Sequence, residues 1–442
     1  MWVACKFFLL SLQNIMQLLK YYILAIAMLM MFQINSSAQI ALISNEHNDT
    51  NIDSLAVDST STTTLDSVDI SILTCTPGKD LYSKFGHTAL RVINYTKGGD
   101  FVFNYGCFNY NSENFVVKFL LGQTNYLLEE EPADYFFFRY NRMGNGVTEQ
   151  LLNLTNVEKQ KLIALLLENL RPENQEYRYK WIGDNCTDRA RGIVEEAING
   201  NVEYPFNVDS YEPTVRESLH QCLEQVPWVS FGIDMILGSE IDYKYNPQDS
   251  ISQDYGHRLN MFIPATFMIN AEQAVIVKNG KRIPYVCETK KLLNETFTED
   301  APSAFTPTVV FGVLLLIVIL ISAIDLRRTH STIWVDITLS TIQGVAGILI
   351  SFLFFFSEHP AVGSNWLVII FNPLAILYAS WIAICRKKQK KNKFAVVNMT
   401  VLAAFLLTMW LCPQSFNVAI YLLELTLLVR SVTYFILEKR VR

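Results

Sequence analysis

Two residues in this 442-residue chain stand where covalent chemistry could be done: Cys186 and His87. Cys186 lies in the run Tyr177–Asn199. Tyr177, Tyr179 and Trp181 alternate with Arg178 and Lys180, which predicts a half-buried strand. Gly183 breaks the strand, and Asp184 or Asn185 caps a following helix. In that helix Ala190, Ile193, Val194, Ala197 and Ile198 recur at helical spacing, and Gly200 ends it. Cys186 falls in the first turn, on the inward face. A thiol there feels the positive end of the helix dipole, which favours the thiolate. Backbone N–H groups at such an end can hold a developing oxyanion. The alternative is a buried structural cysteine, since free Cys is among the most buried residue types.

A thiol nucleophile needs a base, usually His. The predicted exported part has four: His47 in a polar spacer, His220 beside Cys222 on an amphipathic helix, His257 in a polar loop, and His87. His87 opens a strand directly after Gly86, in Tyr-Ser-Lys-Phe-Gly-His-Thr-Ala-Leu-Arg-Val. Alone it would be an ordinary core or surface histidine. Its position gains meaning from a nucleophile elsewhere in the fold.

The elements that must position the pair follow from pattern. Residues 1–38 read as a signal peptide: Lys20 precedes the apolar run Tyr21–Phe32, Ser36-Ser37-Ala38 offers a cleavage site, and Met16 is an alternative start. Residues 39–69, rich in Ser, Thr, Asp and Asn, read as a disordered spacer. Residues 70–290 form the folded exported domain. Strands are predicted at Ile70–Thr74, His87–Asn94, Phe101–Tyr105 and Gly146–Leu154, with a hairpin turn at Lys97–Asp100. Helices are predicted at Asn114–Leu121, Pro132–Tyr140, Asn156–Leu170 and Thr214–Gln225; the third opens on a Thr155/Glu158 capping box. Ala274–Cys287 is a hairpin turning at Asn279-Gly280. Residues 291–305 read as a polar linker.

The chain then turns apolar. Segments at about 306–324, 334–356, 365–385, 394–411 and 415–437 each approach the roughly 20 residues that span a bilayer, giving a five-helix transmembrane domain over 306–442. Arg327 and Arg328, the cluster Arg386–Lys393, and Lys439, Arg440 and Arg442 mark alternate junctions as cytoplasmic, so residues 39–305 lie outside. Asp336, Glu424 and Arg430 are the main ionisable residues in the spans, and nothing in the pattern suggests ion translocation. A net charge of −6 gives no electrostatic reason to expect nucleic acid. Exported Cys75, Cys107, Cys186, Cys222 and Cys287 are odd in number. If Cys186 is free, the other four allow three pairings, or all are thiols.

The motifs also carry a resemblance. A strand-opening His followed later by Asn-Cys at a helix start resembles the circularly permuted papain-like domains of the NlpC class, to which lecithin:retinol acyltransferase belongs. The runs Leu-Thr-Cys-Thr-Pro-Gly (73–78), Tyr82–Val92, Asn-Tyr-Gly-Cys-Phe-Asn-Tyr (104–110), Asp-Asn-Cys-Thr-Asp-Arg (184–189) and Phe-Gly-Ile-Asp-Met-Ile-Leu-Gly (231–238) resemble the Lnb-type lipoprotein N-acyltransferases over about residues 70–290. The resemblance implies an α+β papain-like domain ahead of the membrane helices. It makes Cys186 the nucleophile and His87 the base, with Asn104 the nearest candidate for an orienting group. Asp184 and Asn185 adjoin the nucleophile, Asn185 more a cap than a catalyst, and Tyr82 and Ser83 are candidate oxyanion donors. Local turn and cap hydrogen bonding is the alternative role for these last four.

It also implies a reaction. Cys186 takes an acyl chain from a membrane phospholipid and passes it to the α-amine of a diacylglyceryl-cysteine lipoprotein in the inner membrane of a Gram-negative bacterium. No metal or cofactor is required. The aromatic run Tyr135–Tyr140 would line an acyl groove or pack the core. Two rivals stand beside this reading: a cysteine amidase of the same fold acting on cell-wall peptides, and a non-catalytic exported binding module.

Overall fold

The computed structural model describes residues 67–108, 114–204, 213–244, 260–297, 304–387 and 392–440. The predicted signal peptide, nearly all of the spacer, His47 and His257 lie outside these residues. The described chain is α+β: a sheet-rich N-terminal domain followed by a helical C-terminal part.

The first domain contains β1 (Val68–Cys75), β2 (His87–Asn94), β3 (Gly99–Cys107), α1 (Phe115–Leu120), β4 (Asn125–Pro132), α2 (Ala133–Met143), β5 (Val147–Leu152), α3 (Asn156–Asn169), α4 (Pro172–Gln175), β6 (Glu176–Arg178), α5 (Cys186–Ala197), β7 (Asn201–Glu203), α6 (Val215–Cys222), α7 (Pro227–Ile236), α8 (Pro264–Gln273), β8 (Val275–Lys278), β9 (Lys281–Pro284) and β10 (Val286–Leu293). Seven strands form one antiparallel sheet in the order β10-β5-β1-β2-β3-β4-β6. A small sheet, β7-β8-β9, holds the predicted hairpin, with Asn279 and Gly280 at φ 50° and 75° in its turn.

The central strand β1 is buried on both faces, which makes it the spine of the core. Leu73, Cys75, Ala89 and Val102 pack one face against Phe136 and Tyr140 of α2. α3, α5 and α8 pack against the sheet as well. The capping box at Thr155 and Glu158 is present, and Thr214 with Glu217 forms a second at α6.

Three stretches differ from the sequence expectations. β4 occupies a segment given no element, because Glu129-Glu130-Glu131 hides its alternation. The predicted linker begins later, since β10 runs to Leu293 and the N–H groups of Thr296 and Phe297 still bond Gly144 O. The strand predicted through Trp181 pairs only over Glu176–Arg178 before the chain turns.

The C-terminal part comprises α9 (Pro307–Arg328), α10 (Ile333–Phe356), α11 (Leu374–Lys387), α12 (Lys393–Thr408) and α13 (Val418–Arg440). Three of these, Pro307–Arg328, Ile333–Phe356 and Val418–Lys439, are long and apolar enough to cross a membrane. The segment expected to be helical from residue 365 starts its helix only at Leu374, just past Pro373. Before it the chain makes two short 3-10 turns, Val362–Ser364 and Trp366–Val368, and passes α10 where Gly347 leaves room: a Cβ there would lie 2.4 Å from the Asn372 carbonyl carbon. Arg430 of α13 binds Asp325 of α9 at 2.9 Å and Asp336 of α10 at 2.7 Å, so these three buried groups are paired across three helices, whereas the buried Glu424 of α13 has no hydrogen-bond partner among the described residues.

The two parts meet along a polar seam built on the Phe231–Gly238 motif. Asp234, buried, accepts from Arg216 (2.8 Å) and His220 (2.9 Å) of α6 and from Asn417 (3.0 Å) just ahead of α13. Arg216 also reaches Asp242 and the carbonyls of Leu237 and Gly238. Asn365 donates to Met235 O and Ile236 O, and Gly238 lies so close to Ser364 that a Cβ would meet its carbonyl carbon at 2.2 Å. Removing Asp234 leaves Arg216 its bonds to Asp242 and two carbonyls but takes the acceptor from His220 and Asn417. Asp234→Ala should therefore lower stability by about 1–3 kcal/mol. This would be read as a lower unfolding midpoint of the purified full chain in detergent, and an unchanged midpoint would remove this ion network as the anchor of the seam.

Candidate active site

Gly86 sets the direction of His87. It has φ +78°, and a Cβ there would meet Cys75 O at 2.6 Å, so only glycine makes this turn into β2 without displacing β1. His87 then opens β2 and pairs across the ladder with Cys75, the last residue of β1.

Cys186 arrives from the other side of the chain. After β6 a tight turn, held by backbone bonds between Lys180 and Asp184, passes through Gly183 at φ +96° and delivers Asn185 to the N-cap of α5. Asn185 Oδ1 accepts from the N–H groups of Thr187 (2.9 Å) and Asp188 (3.0 Å). Its Nδ2 donates to Trp181 O and to Phe262 O, so the buried amide fixes the helix start against two other segments. Cys186 is the first residue of α5. Because Asn185 already occupies the next two N–H groups, the predicted open helix terminus is narrower than expected. The Cys186 N–H is the donor left for an oxyanion at this end.

Thr88 and Thr187 lock the two elements together through their hydroxyls, 3.0 Å apart. β3 supplies the remaining wall. It bulges between Tyr105 and Cys107, with Gly106 at φ +91°; a Cβ on Gly106 would stand 3.4 Å from Cys186 Cβ and 3.8 Å from the Tyr179 ring. A larger residue at 106 would press on the nucleophile.

His87 Nε2 lies 3.1 Å from Asn104 Oδ1, and Asn104 Nδ2 donates to Glu131 at 2.9 Å. Glu131 in turn pairs with Arg139, whose guanidinium lies over the Tyr140 ring at 5.1 Å. Since the Asn104 amide gives its N–H to Glu131, its oxygen faces His87 and accepts from Nε2–H. Nδ1 is then the ring nitrogen left for Cys186. Burial disfavours the thiolate, but the adjacent His87, the Thr88 N–H and the Thr187 hydroxyl outweigh it and hold Cys186 below its usual value. Burial likewise pushes His87 down, yet Cys186 and the Asn104 hydrogen bond raise it above its usual value. The two shifts stabilise the same charge-separated pair, thiolate beside imidazolium. By contrast Cys75, fully desolvated and next to Tyr140, is pushed well up and is inert.

The structure thus brings together Cys186, His87 and Asn104, with Asn185 as cap. It sets the other candidates apart. Asp184 turns to Arg189, which binds it at 2.8 Å. The Tyr82 hydroxyl donates to the Asp80 carboxylate at 3.3 Å, and that of Ser83 donates to Asp80 O at 2.8 Å, both within their own turn. Of the aromatic run, Phe136 and Tyr140 pack the core while Phe138 is exposed. Glu131 and Gly106 escaped the sequence reading; a glycine inside a strand pattern was the available signal for the second. Cys75, Cys107, Cys186, Cys222, Cys287 and Cys412 are unpaired, and no cluster of three or more His, Cys, Asp or Glu among the described residues is placed to hold a metal ion.

Comparison with known families agrees with this architecture. The Lnb N-terminal periplasmic domain matches residues 56–221, and the Lnb transmembrane domain matches residues 299–442. The chain belongs to the Lnb family. Neither the curated proteins nor the solved structures give a match. In this Lnb protein Cys186, His87, Asn104 and Glu131 all fall in the periplasmic match. The stretch between the two matches supplies α7 of the seam and β10, which completes the sheet. The protein is therefore a membrane protein with a periplasmic domain.

Proposed function

We propose that this chain is a lipoprotein N-acyltransferase of the inner membrane of a Gram-negative bacterium, working through a papain-like Cys186–His87 pair. The observation that carries this reading is where the pair sits. Phe85, two residues before His87, and Trp181 and Ile182, just before Cys186, pack into one apolar cluster with Leu353 in the last turn of the membrane helix α10 and with Ala361 and Val362 just beyond it. Phe85 and Trp181 meet edge to face at 4.8 Å within it. The segments that carry the pair are thereby tied to the membrane part, close to where both a phospholipid donor and a diacylated lipoprotein acceptor are anchored. A wall-peptide amidase has no need of that placement.

The reaction has two halves. The Cys186 thiolate attacks the ester carbonyl of a phospholipid, and the Cys186 N–H steadies the oxyanion. As the tetrahedral adduct collapses, the C–O bond breaks and His87 gives its proton to the leaving lysophospholipid alkoxide. A thioester remains. The free α-amine of a diacylglyceryl-cysteine lipoprotein then attacks the thioester; His87 accepts the amine proton, the C–S bond breaks, and thiolate and imidazolium are restored. Splitting one transfer into two easier steps is what covalent catalysis provides. Asn104 orients His87, Glu131 orients Asn104, and neither touches the reacting atoms.

Mass spectrometry of a reporter lipoprotein, in cells lacking their own N-acyltransferase, tests the reading. The wild-type chain should add one fatty-acyl mass to the amino terminus of the reporter. A reporter that stays diacylated while the protein is present in the membrane would falsify it, and wall-peptide cleavage would become the next assay.

A further inference from the structure

A series of aromatic rings leads away from Cys186 and has no part in the two half-reactions. Tyr179, beside Gly106 and Cys186, stacks on Tyr126 at 4.0 Å; Tyr126 meets Phe108 at 4.9 Å; Phe108 stacks on Phe115 at 5.6 Å, and Phe115 on Phe119 at 6.1 Å. Tyr126 is buried, Phe108 and Phe115 are half-buried, and Phe119 at the far end is 41 % exposed. The next residue but one before it, Val117, is 53 % exposed.

The far end is fastened to the membrane part. Ser357, directly after α10, donates its hydroxyl to Leu120 O at 3.0 Å, and the Glu358 N–H donates to Leu121 O at 2.8 Å. His359 meets the Phe119 ring edge to face at 5.9 Å, and its backbone N would stand 2.8 Å from a Cβ on Gly122. α10 leaves the bilayer at this point, with Phe355 and Phe356 of its last turn exposed as a lipid-facing helix requires. α1 is therefore held at the level of the membrane surface, with Val117 and Phe119 open to it. Apolar side chains bared in that position are matched by lipid, not by water.

We propose that these rings are the route by which an acyl chain of a bilayer phospholipid reaches Cys186, with Val117 and Phe119 of α1 as its threshold at the membrane surface. The proposal rests on the acyl-transfer reading above. Aromatic faces offer a methylene chain apolar contact without requiring a hydrogen bond in return. Four ring-to-ring steps of 4.0 to 6.1 Å cover a path on the scale of one leaflet's chains, about 15 Å, half of the hydrocarbon core. The chain would lie along the rings with its ester carbonyl at the thiolate and its methyl end toward the threshold, and the headgroup, joined to the ester through glycerol, would stand beside Cys186.

The test uses the full chain in phospholipid vesicles with a diacylated lipopeptide acceptor and two labelled donors of the same headgroup. One is a sixteen-carbon phospholipid in the bilayer; the other is a six-carbon phospholipid dispersed as monomers, too short to need the route. Val117→Ser/Phe119→Ser removes two apolar side chains of α1 and leaves the backbone bonds of Leu120 and Leu121 to Ser357 and Glu358 in place. It should lower transfer from the long donor by about tenfold or more and leave the short donor within about twofold of wild type. Equal retention of both activities, or equal loss of both, overturns the route while the acyl-transfer reading stands on the wild-type activity. Wild type inactive with both donors overturns that reading itself. A second variant, Phe119→Trp, places the threshold independently of turnover: its added fluorescence should be quenched by phospholipid brominated along the acyl chain, and an unquenched increment overturns the placement of α1.

Discussion

Cys186→Ala is expected to abolish acyl transfer, with reporter acylation lowered by at least about 10³-fold while the protein remains folded in the membrane. The size of the effect follows from the covalent step. Without the sulfur no thioester forms, and the amine of the acceptor would have to attack an unactivated ester directly. Two measurements separate this from a loss of structure. Intact mass of the wild-type chain, incubated with donor but no acceptor, should show one added acyl group that hydroxylamine removes; Cys186→Ala should show none. Its unfolding midpoint should stay near that of wild type, since Cys186 is only half-buried and its neighbours Asn185, Thr187 and Thr88 keep their bonds. An acyl adduct persisting on Cys186→Ala, or unchanged acylation of the reporter, would move the nucleophile elsewhere. Cys75 and Cys107 are poor substitutes, because burial pushes both thiols well above their usual range.

The parts of this architecture that were legible in the sequence are those whose signals are local. The Asn185 cap, the Thr155 box, the Asn279-Gly280 turn and the apolar face of α5 each depend on a few consecutive residues, and each stands where the pattern put it. His87 and Cys186 could be read because each sits at an element boundary, where a glycine or a cap marks the place. β4 could not, since its inward Glu131 looks like one of three solvated acids in a row. It becomes half-buried because Arg139 and Asn104 meet it from α2 and β3, and no short window contains that fact. β10 was hidden for the opposite reason: as an edge strand with mostly exposed side chains it shows no apolar alternation, and only its pairing with β5 defines it. Residues 365–373 continue the apolar run of the third segment, yet they form only a short 3-10 turn at Trp366–Val368, with Pro373 and the close approach to Gly347 standing before α11.

The seam ties these observations to the chemistry. Asp234 collects partners from α6 and from the start of α13, while Trp181 and Ile182 of the nucleophile turn pack on the end of α10. The turn that delivers Cys186 is thus braced on one side by the sheet, through Thr88, and on the other by membrane helices. A soluble fragment cut near residue 300 would lose the second brace along with Asn365, Gln414 and Asn417, which satisfy carbonyls and a carboxylate on the periplasmic side. The membrane part therefore shapes the site as well as anchoring it.

The His87–Asn104 pair carries the second large effect. His87→Ala should lower acyl transfer by about 10²–10⁴-fold, the usual range for a lost general acid–base group. Asn104→Ala should cost less in rate, but it should also change the shape of the pH profile, which a merely structural loss would not. Activity requires the thiolate–imidazolium pair, so it falls at low pH as Cys186 is protonated and at high pH as His87 loses its proton. These limbs report the pair as a coupled unit. Asn104 favours the charged imidazole, so its removal lets His87 deprotonate at lower pH, and the alkaline limb moves toward acid. The less stable imidazolium then supports the thiolate less well, so Cys186 holds its proton to higher pH and the acid limb moves up. The plateau should narrow from both sides. Glu131→Gln should do the same more weakly, because its amide oxygen can still accept from Asn104 while the negative charge that favours imidazolium is gone. A profile that falls in height with both limbs unmoved would show that Asn104 holds only the strand and not the proton on His87.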